Sequence, residues 1–217
     1  MKYDLVIFDL DGTLLDTLGD LAAATNRALS AFGFPTFSTD AIRQTIGGGV
    51  ARLIHKTVPA GTDVETEARV LARFKAIYAE NANVHTIPCP GMPTLIEALR
   101  HAGLRLAVNS NKVDAITRRL IAAHFPGCFD RVLGDQDGLP KKPAPDGARR
   151  IMAELGVSPE RVLYVGDGDA DILTAKNAGI DGAWVTWGYR TREELTGLSI
   201  PRIFDSAEAL QAYILDR

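Results

Sequence analysis

The sequence predicts an α/β fold in which a parallel sheet, packed by helices, carries an all-helical insertion. Short continuous apolar runs recur along the chain, which is typical of strands buried on both faces of a parallel sheet. Amphipathic stretches of helical length separate these runs, so strands and helices alternate as in βαβ units. After the first apolar run, a long segment has helical periodicity and almost no strand pattern, and this segment predicts the insertion.

Five apolar runs are predicted as strands. The first, Leu5 to Phe8, is continuous rather than alternating, and it ends in polar residues. The other four are Leu104 to Val108, the weaker Arg131 to Leu133, Val162 to Val165, and Ala183 to Thr186. Between them, helices are predicted at Thr94 to His101, Ala115 to His124, Ala144 to Leu155, and Asp171 to Ala178.

The insertion is predicted from Asp16 to Pro88. Apolar residues recur at helical spacing from Leu18 to Phe32 and again from Val70 to Tyr78. The segment ends at Pro88-Cys89-Pro90-Gly91, where proline and glycine interrupt regular structure. The predicted domains are therefore an α/β core of residues 1–15 and 89–217, and a helical domain of residues 16–88.

The composition argues against several classes of function. The 217 residues include 24 Lys+Arg and 27 Asp+Glu, and without a basic run a nucleic acid is not an expected partner. Two cysteines, Cys89 and Cys128, lack the spacing of a zinc site and are too few for a disulfide framework. No run of about 18 apolar residues and no signal-peptide pattern occurs, so we expect a cytoplasmic protein with no membrane partner.

Acidic residues follow two of the predicted strands. Asp9 and Asp11 come directly after the first strand, and Asp167 and Asp171 follow the strand that ends at Val165. Ligands of open α/β sheets bind beyond the carboxyl ends of the strands, and Mg²⁺ prefers oxygen ligands such as these. An acidic, solvated loop that caps the next helix is the alternative for each stretch alone. Two such stretches in one domain favour a shared metal site.

Hydroxyl, amide and ammonium groups follow the second strand and lie in a later loop. They belong to Asn109-Ser110-Asn111-Lys112 and to the pair Lys141-Lys142. These are the donors that a phosphate group needs, because a phosphate carries about −1.5 to −2 charges at neutral pH. For an isolated lysine pair, a solvated basic loop is the alternative.

These four stretches resemble the motifs of the haloacid dehalogenase superfamily, in its phosphatase branch. The first motif reads Asp9-Leu10-Asp11-Gly12-Thr13, the second is Ser110, the third is Lys142 before Pro143, and the fourth is Gly166-Asp167 with Asp171. The resemblance covers almost the whole chain and implies a Rossmann-like parallel sheet core with an inserted all-helical cap domain. It also implies a small-molecule phosphate ester as substrate.

The resemblance implies catalytic and metal-binding roles. Asp9 is expected to be the nucleophile that forms an aspartyl-phosphate, and Asp11 the acid that protonates the leaving group and then activates water. Asp9, the backbone carbonyl of Asp11, and Asp167 are expected to hold Mg²⁺, with Asp171 orienting these ligands. Lys142 is expected to stabilise the charge on the transferring phosphoryl group.

The resemblance also implies substrate contacts. Ser110 and nearby groups of Asn111, Gly12 and Thr13 are expected to bind phosphate oxygens. Serine stands at Ser110 where the family more often has threonine, and a serine keeps the hydroxyl.

Within the phosphatase branch, three further stretches resemble phosphoglycolate phosphatases. They are Pro88-Cys89-Pro90-Gly91-Met92, Trp187-Gly188-Tyr189, and Ile203-Phe204-Asp205-Ser206. The implied activity is Mg²⁺-dependent hydrolysis of 2-phosphoglycolate. The alternatives are a sugar-phosphate phosphatase, a β-phosphoglucomutase-like phosphotransferase, and, outside enzymes, a phosphate-binding module without turnover.

The helical domain contributes a second group of candidates. Gly47-Gly48-Gly49 is either a phosphate-binding turn or a tight turn between helices. Arg52 and His55, three residues apart on a predicted helix, either meet a substrate carboxylate or form a surface pair. Lys56 and Lys75 are expected to be solvated helix charges.

Overall fold

The computed structural model describes residues 1–198 and 200–216. Its main sheet has six strands in the order β5-β4-β1-β6-β7-β8, and every paired strand in it is parallel. In chain order the strands are β1 Leu5–Phe8, β2 Leu15–Asp16, β3 Ile87–Pro88, β4 Arg105–Val113, β5 Arg131–Asp135, β6 Val162–Gly166, β7 Asp181–Val185, and β8 Ile203–Phe204. The short strands β2 and β3 form a separate two-stranded sheet. The predicted α/β fold with a parallel sheet is therefore confirmed.

Ten α-helices accompany the strands in the described residues. They are α1 Leu18–Ser30, α2 Thr39–Thr45, α3 Val50–Thr57, α4 Val64–Asn81, α5 Met92–His101, α6 Asp114–His124, α7 Asp146–Leu155, α8 Asp169–Ala178, α9 Arg192–Gly197, and α10 Ala207–Leu215. Across residues 1–198 and 200–216, none of the helices combines the length and the apolar character that a membrane span requires.

The chain divides into two compact units. One consists of Met1–Leu15 with Pro88–Arg217, and the other of Asp16–Ile87. The prediction placed residue 88 in the helical domain, whereas the structure groups it with the unit that contains the main sheet. The second unit contains α1 to α4, and its buried apolar residues include Leu29, Ile54 and Phe74.

The central strand explains why the apolar runs are continuous. Val6 and Phe8 of β1 point into one buried cluster, while Leu5 and Ile7 point into another. All four side chains are fully buried, because helices cover both faces of the sheet.

The register of β1 brings three chain segments to one edge of the sheet. Phe8 pairs with Val108 of β4 and with Val165 of β6. The residues that follow, beginning with Asp9, therefore lie beside the ends of both neighbouring strands. This is the carboxyl edge, where ligands of such sheets bind.

Some element bounds differ from the predicted ones. β4 continues to Val113 instead of ending at Val108, because its pairing with β5 resumes at Val113 after an irregularity that begins at Asn109. Helix α8 begins at Asp169, so Asp171 lies within its first turn. The edge strand β8 was not predicted, and it consists of only two residues.

Candidate active site

The candidate site lies at the carboxyl edge of β1, β4 and β6. Asp9 follows β1 directly, and its backbone N–H donates to the Val165 carbonyl at 2.9 Å. Ser110 belongs to β4, and Asp167 follows β6. Both side chains are buried, as is that of Asp9. Three strands thus position the polar groups on one rigid edge.

Lys142 joins two of the acids. Its Nζ donates to Asp9 Oδ1 at 2.5 Å and to Asp171 Oδ1 at 2.7 Å, and its side chain is only 5% exposed. The neighbouring Lys141 is 53% exposed and pairs with Asp135 at 2.7 Å. The two lysines of the pair therefore lie in different environments, and it is Lys142 that contacts Asp9 and Asp171.

Asn111 fixes the loop that carries Lys142. Its amide nitrogen donates to the Lys142 carbonyl at 3.0 Å, and its amide oxygen accepts from the Lys142 N–H at 2.8 Å. Asn111, which was predicted to bind phosphate, thus makes two hydrogen bonds to the backbone of Lys142. This contact positions the lysine across the 31 residues that separate the two in sequence.

Asp9, Asp167 and Asp171 form a buried group of carboxylates. One ligand oxygen from each lies within 4.8 Å of the others. Burial, with Asp171 next in effect, raises the pKa of Asp9 to about 7 despite the opposing effect of Lys142. Burial, followed by the charges of Asp171 and Asp9, raises the pKa of Asp167 well above its usual value. The Lys142 ammonium offsets one of these three negative charges, so a divalent cation would balance the other two.

Two glycines approach Asp167 so closely that a larger residue would displace it. A Cβ added at Gly12 would lie 2.5 Å from Asp167 Oδ2, and one added at Gly188 would lie 2.3 Å from the same atom. The backbone N–H of Tyr189 donates to this oxygen at 2.6 Å. Because Mg²⁺ requires hard oxygen ligands in a fixed geometry, this donor set and its close support fit a Mg²⁺ site.

Asp171 is held in place by helix α8 and by its neighbours. The Gly168 N–H donates to its Oδ2 at 3.2 Å, as in the first turn of a capped helix. Gly166 leaves room for the side chain, since an added Cβ would lie 2.4 Å from the Asp171 Cβ. The hydroxyl of buried Tyr164 lies 3.5 Å from Asp171 Oδ1. The motifs did not reveal Tyr164, because it reads simply as a core residue of β6.

Asp11 pairs with a lysine to which the motifs assign no individual role. Lys112 Nζ lies 2.6 Å from Asp11 Oδ1. The lysine side chain is 5% exposed and that of Asp11 is 22% exposed. The predicted acid thus has greater access to solvent than the buried group around Asp9.

Gly12 and Thr13 form the turn after Asp11. Gly12 has a φ of 81°, a conformation that favours glycine. Its N–H donates to the Leu15 carbonyl at 2.8 Å. Thr13 is fully buried, and its hydroxyl has no hydrogen-bond partner within residues 1–198 and 200–216. Trp187 Nε1 donates to the Thr13 carbonyl at 3.1 Å. The structure therefore places the Thr13 side chain in the interior.

The candidates of the helical unit are solvated or satisfied locally. Gly47, Gly48 and Gly49 all have positive φ, from 84° to 121°. Arg52 and His55 are exposed on α3, and His55 Nδ1 lies 3.0 Å from Glu67 Oε2. The positive φ angles are sufficient reason for glycine at residues 47 to 49. Lys56 and Lys75 are exposed as well.

Comparisons with known proteins show which enzymes this chain resembles in sequence and fold. A phosphoglycolate phosphatase of Aquifex aeolicus is 34% identical over 214 residues, which cover 98% of this chain and 99% of that protein. The solved structure of a candidate phosphoglycolate phosphatase from Lactobacillus delbrueckii subsp. bulgaricus has a TM-score of 0.95 and 35% identity, and covers 100% of both chains. A variant of CbbY from Rhodobacter sphaeroides in complex with xylulose-(1,5)bisphosphate has a TM-score of 0.71 and 27% identity, and covers 94% of this chain and 95% of that one.

The predicted enzyme class, a phosphoric monoester hydrolase, is confirmed by these relatives together with the family match. The model of the haloacid dehalogenase-like hydrolase family matches residues 6–185, a span that includes all four motifs. The predicted resemblance is thereby confirmed, and the chain belongs to the haloacid dehalogenase-like hydrolase family.

Proposed function

We propose that this protein is a Mg²⁺-dependent phosphatase that hydrolyses 2-phosphoglycolate through an aspartyl-phosphate on Asp9. The observation that carries the proposal is the buried Lys142 ammonium, which contacts both Asp9 and Asp171 beside Asp167. The name of the relative from Aquifex aeolicus, which is similar along its whole length, supports the choice of substrate.

Asp9 is the nucleophile in this proposal. One of its carboxylate oxygens attacks phosphorus, the bond from phosphorus to the ester oxygen breaks, and the phosphoryl group moves to Asp9. Lys142 holds Oδ1 of Asp9 at 2.5 Å, so the carboxylate is oriented before the substrate arrives. A bound Mg²⁺ would be held by Asp9, the Asp11 backbone carbonyl and Asp167, with Asp171 orienting these ligands, and would offset the negative charge of the phosphoryl oxygens.

Asp11 is the general acid and the general base in this proposal. Its carboxyl group gives a proton to the ester oxygen as the alcohol leaves. In the second half of the reaction it accepts a proton from the water that attacks phosphorus, which releases inorganic phosphate and restores Asp9. The 22% exposure of its side chain leaves it open to both the alcohol and the water.

The phosphoryl oxygens are bound by Ser110 and Lys142. The Ser110 hydroxyl lies in β4 at the carboxyl edge, and the Lys142 ammonium opposes the charge on the transferring group. We assign Gly12 and Thr13 to shaping the turn after Asp11, because their N–H groups donate to the Leu15 and Leu10 carbonyls. We assign Asn111 to holding the Lys142 backbone.

The helical unit Asp16–Ile87 is assigned as the cap domain of the family. A second candidate function is hydrolysis or transfer of a sugar phosphate, which the complex of CbbY with xylulose-(1,5)bisphosphate favours. A phosphotransferase of this type would require a bisphosphate activator, whereas a hydrolase would not.

Phosphate release from a panel of esters tests the proposal. The panel contains 2-phosphoglycolate, sugar phosphates and nucleoside monophosphates, each with Mg²⁺ and each with excess chelator. The Asp9→Asn variant is the negative control, and Asp137→Asn, which alters an exposed carboxylate, is the matched control. A dominant rate on 2-phosphoglycolate that chelator abolishes is the expected result.

Other outcomes of the panel have distinct meanings. A dominant rate on a sugar phosphate would replace the substrate and keep the mechanism. Full activity in chelator would contradict the Mg²⁺ site. No release from any ester, with a stable phosphoryl group on Asp9, would favour the binding module without turnover.

A further inference from the structure

Lys112 is a buried cation at the site that none of the proposed steps uses. Its Nζ lies 2.6 Å from Asp11 Oδ1, and its side chain is 5% exposed. Burying an ammonium is costly unless it is paired, so a lysine in this position indicates a specific contact. The carboxylate that it contacts is the one to which we assign both proton transfers.

The strand β4 holds the lysine backbone at this position. The Lys112 N–H donates to Ser110 Oγ at 3.1 Å, and the Lys112 carbonyl accepts from Thr117 Oγ1 at 3.1 Å. Gly134 of the neighbouring strand allows the close approach, since an added Cβ would lie 2.7 Å from the Lys112 carbonyl oxygen. The lysine therefore projects from a fixed strand end.

We propose that Lys112 is a positioning residue: it binds Oδ1 of the Asp11 carboxyl group and orients that group so that Oδ2 carries the proton given to the leaving group. The inference rests on the proposed function, in which Asp11 is the acid and base. A short aspartate side chain that is partly open to water can rotate, and a misplacement of about 1 Å costs on the order of 10²-fold in rate. An ion pair to a lysine on a rigid strand restricts that rotation.

The dependence of rate on the leaving group tests this role. The alcohol released from 2-phosphoglycolate requires a proton, whereas the 4-nitrophenolate released from 4-nitrophenyl phosphate leaves without one. Lys112→Met removes the charge and keeps a side chain of similar size. The ratio kcat/KM reports the transfer of the phosphoryl group to Asp9 and excludes the later hydrolysis, which both esters share. We expect kcat/KM for 2-phosphoglycolate to fall about 10²-fold, and kcat/KM for 4-nitrophenyl phosphate to fall less than about tenfold.

Two further variants sharpen the test. Asp11→Asn is expected to show the same dependence on the leaving group, and the double variant to lose no more than Asp11→Asn alone, because both changes remove one function. Lys141→Met is the matched control, since Lys141 pairs with Asp135 instead of a site carboxylate.

Three outcomes would overturn the proposal. An equal loss of kcat/KM on both esters would indicate a general structural role for Lys112. Additive losses in the double variant would indicate that the two residues act separately. A loss confined to esters with a carboxylate in the alcohol, with ethyl phosphate unaffected, would indicate that Lys112 binds the substrate.

A crystal structure of Lys112→Met separates this proposal from the proposed function. The Asp11 carboxylate is expected to leave its wild-type position, even if the wild-type protein releases phosphate from none of the esters. An unmoved Asp11 would overturn the positioning role whatever the activity. A displaced Asp11 in a protein with no phosphatase activity would instead contradict the proposed function alone.

Discussion

Two groups of polar residues, one in each unit, were candidates for substrate contacts in the sequence, and the structure gives them different environments. At the carboxyl edge of the sheet, Lys142 is 5% exposed and contacts two acids from distant parts of the chain. On α3 of the helical unit, His55 is 72% exposed and pairs with Glu67. Surface pairs of this kind contribute about 0–1 kcal/mol, whereas an unpaired buried charge costs several.

The difference shows what makes a motif informative. Parallel strands deliver their ends to one edge, so side chains that follow different strands must meet there. A solvent-exposed helix does not bring distant parts of the chain together in this way, and its polar residues pair with nearby side chains. Burial together with long sequence separation is therefore the property that distinguishes the first group from the second.

The largest expected effect comes from Asp9→Asn. This change removes the proposed nucleophile and keeps its shape, so phosphate release from 2-phosphoglycolate is expected to fall by about 10⁴-fold or more. Steady-state assays measure the loss, and circular dichroism checks that the fold is intact. Retained turnover would exclude Asp9 as the nucleophile.

The two adjacent lysines provide the next comparison. Lys142→Ala leaves Asp9 and Asp171 without their shared cation, so kcat is expected to fall on the order of 10²- to 10³-fold. Lys141→Ala breaks only an exposed pair with Asp135, so a change of less than about threefold is expected. Parallel kinetics of the two variants measure the difference. If Lys141→Ala proved the more damaging, the assignment would be reversed.

Metal binding can be weakened through a residue that provides no ligand. In Gly188→Ala the new Cβ would lie 2.3 Å from Asp167 Oδ2, so the carboxylate must move. Loss of such support typically costs 10- to 100-fold in metal affinity, and we expect Mg²⁺ affinity by calorimetry to fall about tenfold. Gly197→Ala is the matched control, because an added Cβ there meets no atom of residues 1–198 and 200–216 within 4 Å. Equal affinity in both variants would show that Asp167 is not a ligand.

Protonation of Asp9 predicts a dependence on pH. Its pKa is raised to about 7 in the folded, metal-free protein from 3.8, so the folded state binds more protons than the unfolded state between these values. The contribution of Asp9 to the free energy of unfolding is therefore fully present below about pH 4, and it is lost as the pH rises through about 7. Thermal melting in chelator at pH 5 and pH 8 measures this, and Asp9→Asn should reduce the difference. An unchanged difference in the variant would contradict the shift.

Much of the fold and part of the site could be predicted from the sequence. Continuous apolar runs such as Leu5 to Phe8 indicate strands that are covered on both faces, and the order of the elements then indicates a parallel sheet. The approach of Asp9 to Lys142 followed from a resemblance, and the structure brings the two together. That Asn111 binds the Lys142 backbone could not be predicted, because the amide can serve either a ligand or the chain.

The contact between Lys112 and Asp11 was hidden for a different reason. The sequence placed the end of the second strand at Val108, whereas β4 continues through Lys112 to Val113. Polar residues in a strand end look like a loop, since their burial depends on neighbouring segments such as Gly134. Local patterns cannot reveal such tertiary packing.

The smallest expected effect concerns the helical unit. Arg52→Ala and His55→Ala remove exposed side chains, of which His55 has a local partner in Glu67, so the KM for 2-phosphoglycolate is expected to change by less than about threefold. Saturation kinetics with both variants measure the effect, with exposed Lys75→Ala as the matched control. A tenfold rise in KM for Arg52→Ala, with kcat retained, would mean that Arg52 contacts the substrate carboxylate. In that case the exposure of a side chain in the free protein would not distinguish functional residues from surface residues. Charge complementarity to the bound ester would then also decide which residues bind the substrate.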